Sequence, residues 1–181
     1  TTDGESWGEN SEWDWGHNTI SNGGNAANTW KTLSSAEWTY IFDNTSERPA
    51  TRYAKAFLDT DSDGIGDVHG MILFPDGYVH PAGLAAVTGI NTPGNTSWDA
   101  NKYNADAWAA MEAAGAVFLP AAGYRYGTDV DSVGSFGSYW SSTANDANCA
   151  YSLYFDSSYV FPANFSSRCI GFSVRLVQNL N

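Results

Sequence analysis

Between residues 59 and 67 the chain sets aspartates at alternate positions and then adds another: Asp59, Asp61, Asp63 and Asp67, with Gly64 inside the run. Carboxylates spaced this way in a tight loop converge on one hard cation. Gly64 permits the turn, and the main-chain carbonyl of Ile65 stands where a further oxygen ligand belongs. The position that carries glutamate in a complete EF-hand loop is Gly70, so the run is not one. Clustered carboxylates without a cation repel one another, which favours calcium where calcium is abundant. The competing reading is a solvated Asp-Gly hairpin turn.

The other residue types able to do chemistry are sparse. His17, His69 and His80 are scattered. His69 or His80 beside Asp67 or Asp76 would sketch an acid–base pair, against the plainer reading of hydrogen-bonded surface histidines. Cys149 and Cys169 each precede a predicted strand. In a three-strand meander they share one end of the sheet, as a disulfide or as two free thiols. No histidine lies in the C-terminal third to activate either as a nucleophile. No nucleophile elbow, zinc-protease helix, P-loop or dinucleotide fingerprint is present.

The elements that would position these groups follow from pattern. Residues 33–45 predict a helix, with Ser34 or Ser35 as cap, Glu37 closing a capping box, and Trp38, Ile41 and Phe42 as the buried stripe. Residues 52–58 and 69–74 predict two strands around the Asp-rich loop, followed by a turn at 75–78. Residues 104–114 predict a second helix, capped by Asn104 and stopped by Gly115. Residues 116–125 read as a strand and turn. The last third alternates short β segments with Ser/Asn-rich loops, and YSLYF, YVF and FSVRLV predict an antiparallel meander. The expectation is an α+β fold of two short helices and a mostly antiparallel sheet, with no βαβ rhythm, in one domain spanning 1–181. Trp30, Trp38, Trp108 and Trp140 are the expected core anchors. Residues 1–30, with Trp7, Trp13 and Trp15, read as an irregular segment packed on that core.

Composition narrows the function. The 181 residues are 43% hydrophobic and only 15% charged, with a net charge of -12. That is enough apolar material for a core, with a surface built largely from Ser, Asn, Thr, Gly and Tyr. Such acidity disfavours nucleic acid and anionic lipid as partners, and no apolar run is long enough to span a bilayer. The sequence opens at Thr1 rather than Met, which reads as a trimmed or mature chain. From Ser141 to Val177 there is no Lys, Glu, Gln, Met or Trp. Loops of Ser, Tyr, Asn and Phe on a stiff sheet are the makings of an adaptable binding surface.

The stretches WDWGHNTISNGG, NTWKTLSSAEWTYIFDN, GMILFPDGY, MEAAGAVFLPAAGYRYGT, VGSFGSYWSST and RCIGFSVRLV together resemble the major paralogous domain proteins of Bacteroidetes and Fibrobacter. The resemblance runs over most of the chain. It implies a C-type-lectin-like fold related to that of formylglycine-generating enzymes, and a secreted, bacterial-surface or phage-virion location. It further implies a non-catalytic receptor or adhesin whose C-terminal region, about 136–170, is diversified by a retroelement to bind protein or cell-surface ligands. Diversification of AAY codons cannot produce the five residue types missing from 141–177. On that implication the ligand-facing positions are Ser138, Asp146, Ala147, Asn148, Cys149, Ser152, Asp156, Ser157, Ser158, Phe161, Phe165, Ser166, Ser167, Cys169 and Ile170, clustered on one face. Trp140, Arg175, Gly134, Gly137 and Gly171 would hold the scaffold. The Asp59–Asp67 loop departs from the shorter hairpin of that family, and no sugar-binding Glu-Pro-Asn or Gln-Pro-Asp triplet is present. The alternatives are an undiversified surface lipoprotein domain or an enzyme using the cysteines and a metal.

Overall fold

The computed structural model describes residues 30–42, 52–64, 66–94 and 97–178. Its elements run β1 (Trp30–Thr32), α1 (Ser35–Phe42), β2 (Tyr53–Asp59), β3 (Val68–Leu73), a 3-10 turn (Trp98–Ala100), β4 (Lys102–Asn104), α2 (Ala105–Ala113) and β5 (Val117–Pro120). There follow β6 (Tyr124–Tyr126), β7 (Asp129–Asp131), β8 (Phe136–Ala144), β9 (Cys149–Asp156), β10 (Val160–Ser167) and β11 (Leu176–Gln178). This is α+β, with two helices and mostly antiparallel sheets; β4 joins β2 in parallel. Among the described residues no helix is long and apolar enough to cross a membrane.

Both predicted helices form for the predicted reasons, the first over Ser35–Phe42, with 43–45 of its expected range outside the described residues. Ser34 and Glu37 make a reciprocal capping box: Glu37 Oε2 accepts from the Ser34 N–H at 2.8 Å, and Ser34 Oγ accepts from the Glu37 N–H at 3.2 Å. Asn104 Oδ1 accepts from the Ala107 N–H at 3.0 Å to start α2. Gly115, at φ 98°, ends it in the left-handed conformation that glycine adopts without strain.

The sheet β4-β2-β3-β5 is the middle layer, and β2 is buried along its whole length. Alternation sends its two sets of side chains into different clusters. Tyr53 and Phe57 join Trp38, Met71, Tyr139, Leu153 and Phe155 under the sheet β10-β9-β8, while Ala54, Ala56 and Leu58 join Ile72, Tyr103 and Met111 under α2. Lys55 is carried into the first of these layers and is 1% exposed. Its ammonium donates to the carbonyls of Gly94 at 2.9 Å, Ser157 at 2.8 Å and Pro93 at 3.4 Å. Burial lowers its pKa, and the charge of Asp156 partly offsets that.

Three expectations are corrected. The third strand of the C-terminal sheet is β8, not FSVRLV: β8 pairs with β9, and β9 with β10. Gly171 instead pairs with Arg125 of β6 and Ser173 with β8, where the Trp140 main-chain N–H donates to the Ser173 carbonyl, and the chain then leaves to pair β11 with β1. Trp140 and Trp108 are only half-buried; Trp140 packs on Phe172, and Tyr139 is the buried ring of that pair because alternation turns it inward. Arg175 is exposed. Trp30 is half-buried, and Trp7, Trp13 and Trp15 lie outside the described residues. Gly137 does support the scaffold: a Cβ there would overlap the Phe155 ring.

Candidate ligand-binding face and metal loop

The sheet β10-β9-β8 has one face on the core and one away from it. Leu153 and Phe155 of β9 and Tyr139 of β8 point inward. By alternation Ser152, Tyr154 and Asp156 of β9, and Phe136, Ser138 and Trp140 of β8, lie on the other face. Phe161 of β10 stands opposite Tyr154 on that same face. The result is a row of aromatic rings across the strands. Tyr124 stacks on Phe136 at 5.6 Å, Phe136 meets Tyr154 at 5.3 Å, Tyr154 stacks on Phe161 at 6.2 Å, and Phe161 on Tyr159 at 5.5 Å. The row becomes more open along its length, and its last two members, Phe161 and Tyr159, are 49% and 56% exposed.

Asp156 organises the open end. Its Oδ1 accepts from the N–H groups of Ser158 at 2.6 Å and Tyr159 at 2.7 Å, and its Oδ2 accepts from the Tyr154 hydroxyl at 2.6 Å. This fixes both the β9–β10 turn and the tilt of the Tyr154 ring. Burial, and then the Asp156 carboxylate, push the Tyr154 pKa up to about 12, so the ring stays a neutral donor.

The fifteen expected ligand-facing residues do not share one surface. Ser138 and Ser152 are 1% and 0% exposed, because each is a small side chain directly opposite a large ring, Tyr154 and Trp140 respectively. Their hydroxyls have no hydrogen-bond partner. A bulge between Phe161 and Asn164 shifts the alternation, so Phe165 pairs with Tyr151 on the opposite face from Phe161. Asp156, Ser157 and Ser158 form the turn at one end of the sheet. Asp146, Ala147, Asn148 and Cys149 lie at the other, beside Ser166, Ser167, Cys169 and Ile170.

Arg168 binds that second end together, donating through Nη2 to the Asp146 carbonyl at 2.9 Å and through Nε to the Cys149 carbonyl at 3.3 Å. Main-chain N–H groups of Asn148 and then Cys149 hold the exposed Asp146 carboxyl below its usual value. Cys149 and Cys169 are free thiols there, and the Cys169 Sγ lies 3.3 Å from Ser167 Oγ.

The Asp-rich segment closes the β2–β3 hairpin. Asp59, Asp61 and Asp67 each bring a carboxylate oxygen within 4.8 Å of the other two. Asp63 is not part of that triad, and Ile65 lies outside the described residues. Hydrogen bonds from the Thr60 hydroxyl and main chain hold the Asp67 pKa down.

The histidines are engaged elsewhere. His69 Nδ1 is 2.8 Å from the Gly134 carbonyl and its ring stacks on Trp98. His80 sits between the Tyr78 hydroxyl and the Ala85 carbonyl, Asp76 pairs with Arg52 at 2.7 Å, and His17 lies outside the described residues. The sketched acid–base pairs are therefore not assembled.

Residues 86–177 match DUF8237, a domain of unknown function. The chain belongs to the DUF8237 family. No curated protein and no solved structure matches it. In this DUF8237 chain the matched span holds β4 to β10, the first two residues of β11 and every residue of the aromatic row, while the Asp-rich hairpin precedes it. Tyr124, Phe136, Tyr154 and Tyr159 were not singled out by sequence. Their types were visible, but only the register makes them neighbours.

Proposed function

We propose that this protein is a non-catalytic binding domain that presents the outer face of the β10-β9-β8 sheet to a protein or cell-surface ligand, on the outside of a bacterium or on a phage virion. The observation that carries the reading is the aromatic row from Tyr124 to Tyr159, which leaves Phe161 and Tyr159 open at one end. Aromatic rings give contact area at little entropic cost, and the Ser and Asn loops around them supply adaptable hydrogen bonds. A net charge of -12 favours a cationic partner surface and disfavours polyanions. The C-type-lectin-like architecture and the retroelement origin of residues 136–170 belong to the same proposal. The α+β layout supports the first, and the absence of Lys, Glu, Gln, Met and Trp from 141–177 supports the second.

The test is adhesion of the fluorescently labelled protein to bacterial cells, wild type against the double variant Tyr154→Ser/Phe161→Ser, with Phe165→Ser as the control on the opposite face. The double variant should keep its fold by circular dichroism and lose most cell binding, and the control should keep it. A double variant that binds like wild type removes the row from the reading. Sequencing the locus tests the origin: a near-copy of the codons for 136–170 beside a reverse transcriptase gene is expected.

A further inference from the structure

We propose that the β2–β3 hairpin loop is a calcium site whose protein ligands are the carboxylates of Asp59, Asp61 and Asp67. The three offer oxygens within 4.8 Å of one another. One ion at about 2.3–2.6 Å from each oxygen spans that separation. An acidic cluster alone would not make a site, since solvated aspartates are common on surfaces. The deciding feature is Asp59. It ends the fully buried strand β2, is 4% exposed, and its Oδ1 has no hydrogen-bond partner. A buried carboxylate oxygen without a donor is costly, and a cation at the triad is what would offset it.

The loop is built to hold these groups in place. Asp59 Oδ2 accepts from the Gly64 N–H at 3.0 Å, and Gly64 at φ 88° turns the chain back to make that bond. Asp61 Oδ1 accepts from the Asp63 N–H at 3.1 Å, and Asp67 Oδ2 from the Thr60 N–H at 2.7 Å. Lys102 reaches the loop, donating to the Gly64 carbonyl and lying over the Phe57 ring. An all-oxygen set on a short irregular loop suits calcium, with its flexible coordination, better than magnesium, which demands near-ideal octahedral geometry. The ion would also tie elements together, because Asp59 pairs with Asn104, the residue that caps α2.

The experiment is calorimetric titration of the full chain with calcium chloride, alongside thermal melts in calcium, magnesium and chelator. Saturable binding is expected in the sub-millimolar to millimolar range typical of extracellular modules. Calcium should raise the melting temperature more than magnesium does. Asp61→Asn, an exposed change that leaves the fold alone, should weaken calcium at least about tenfold, since it removes one of three charged ligands. Asp59→Asn should abolish saturable binding. The proposal is overturned if melting in about 10 mM calcium matches melting in chelator, or if Asp61→Asn binds as tightly as wild type. Should Asp59→Asn fail to fold, the Asp61 variant decides alone.

Discussion

At the scale of single residues, the outer face of the sheet sets small polar side chains beneath large rings. Ser138 and Ser152 each keep a buried hydroxyl with no partner. Desolvating a hydroxyl without a hydrogen bond costs about 1–3 kcal/mol, so removing it recovers part of that cost. Ser152→Ala and Ser138→Ala are therefore expected to leave stability unchanged or to raise it by up to about 1 kcal/mol. Gly137→Ala, one strand position away, should lose about 1–3 kcal/mol, because its methyl group must displace the Phe155 ring. Urea melts of the three variants check the contrast. Serine variants that lose as much as Gly137→Ala would mean that those hydroxyls are bonded after all. The same contrast separates the two meanings of a buried position. Gly137 is required by packing, whereas the serines are tolerated by it.

At the scale of elements, the capping box of α1 is the most local device in the fold. The Glu37 carboxylate receives Ser34 N–H and Oγ–H and lies 2.6 Å from the Lys31 ammonium. Burial raises its pKa, but the bonds from Lys31 and Ser34 outweigh that and leave it below the ordinary 4.5. A depressed carboxylate pKa stabilises the fold above the unfolded value and loses that contribution as pH falls through the folded value. Ser34→Ala should cost about 1 kcal/mol at neutral pH, and the difference from wild type should narrow in melts taken below about pH 4. A difference that stays constant with pH would detach the cap from Glu37.

Local signals of this kind were legible in the sequence. Both helices, β2, β3 and the turn at 75–78 follow from residues within a few positions of one another. What sequence did not show was long-range. Strand β8, FGSYWSSTA, alternates no clear apolar set, because Gly137 and Tyr139 face the core while Ser138 hides on the outer side. The departure of FSVRLV to join β1 depends on a partner about 145 residues away, a choice set by closure of the whole chain rather than by strand propensity. The site suffered most: one bulge at 161–164 divides Phe161 from Phe165, and no residue type announces it. The triad of the metal loop was half legible, since spacing nominated Asp59, Asp61 and Asp67 but also Asp63, which stands outside it.

At the scale of the whole molecule, the sheet that carries the aromatic row rests on side chains from outside the family span. Trp38, Phe42, Tyr53, Phe57 and Met71 pack with Tyr139, Leu153, Phe155 and Val160 in one cluster. The binding face is thus stiffened by elements distant in sequence, and tyrosines in this cluster, in the one beneath α2 and on the outer face give the fold a common pH response. Burial raises the pKa of Tyr53, Tyr78, Tyr103, Tyr139 and Tyr154, to about 12 for Tyr103 and for Tyr154. A raised pKa means that the folded state keeps a proton which the unfolded chain releases near pH 10. Stability from these groups is therefore full below about pH 10 and is lost as pH climbs toward 12. Lys55, whose pKa is lowered, acts in the opposite sense, as one group against five. Urea melts at stepped pH should show stability falling above about pH 10. Tyr103→Phe, which takes one hydrogen bond from the Ala85 carbonyl but leaves His80 Nε2 against it, should flatten that fall by removing one of the contributing hydroxyls. The absorbance step that Tyr103→Phe removes should fall within the unfolding transition, whereas exposed rings such as Tyr126 and Tyr159 are common to both proteins. If the missing step instead lies near pH 10 in a chain that remains folded, the Tyr103 ring is open to water, and the packing beneath α2 is looser than its burial implies.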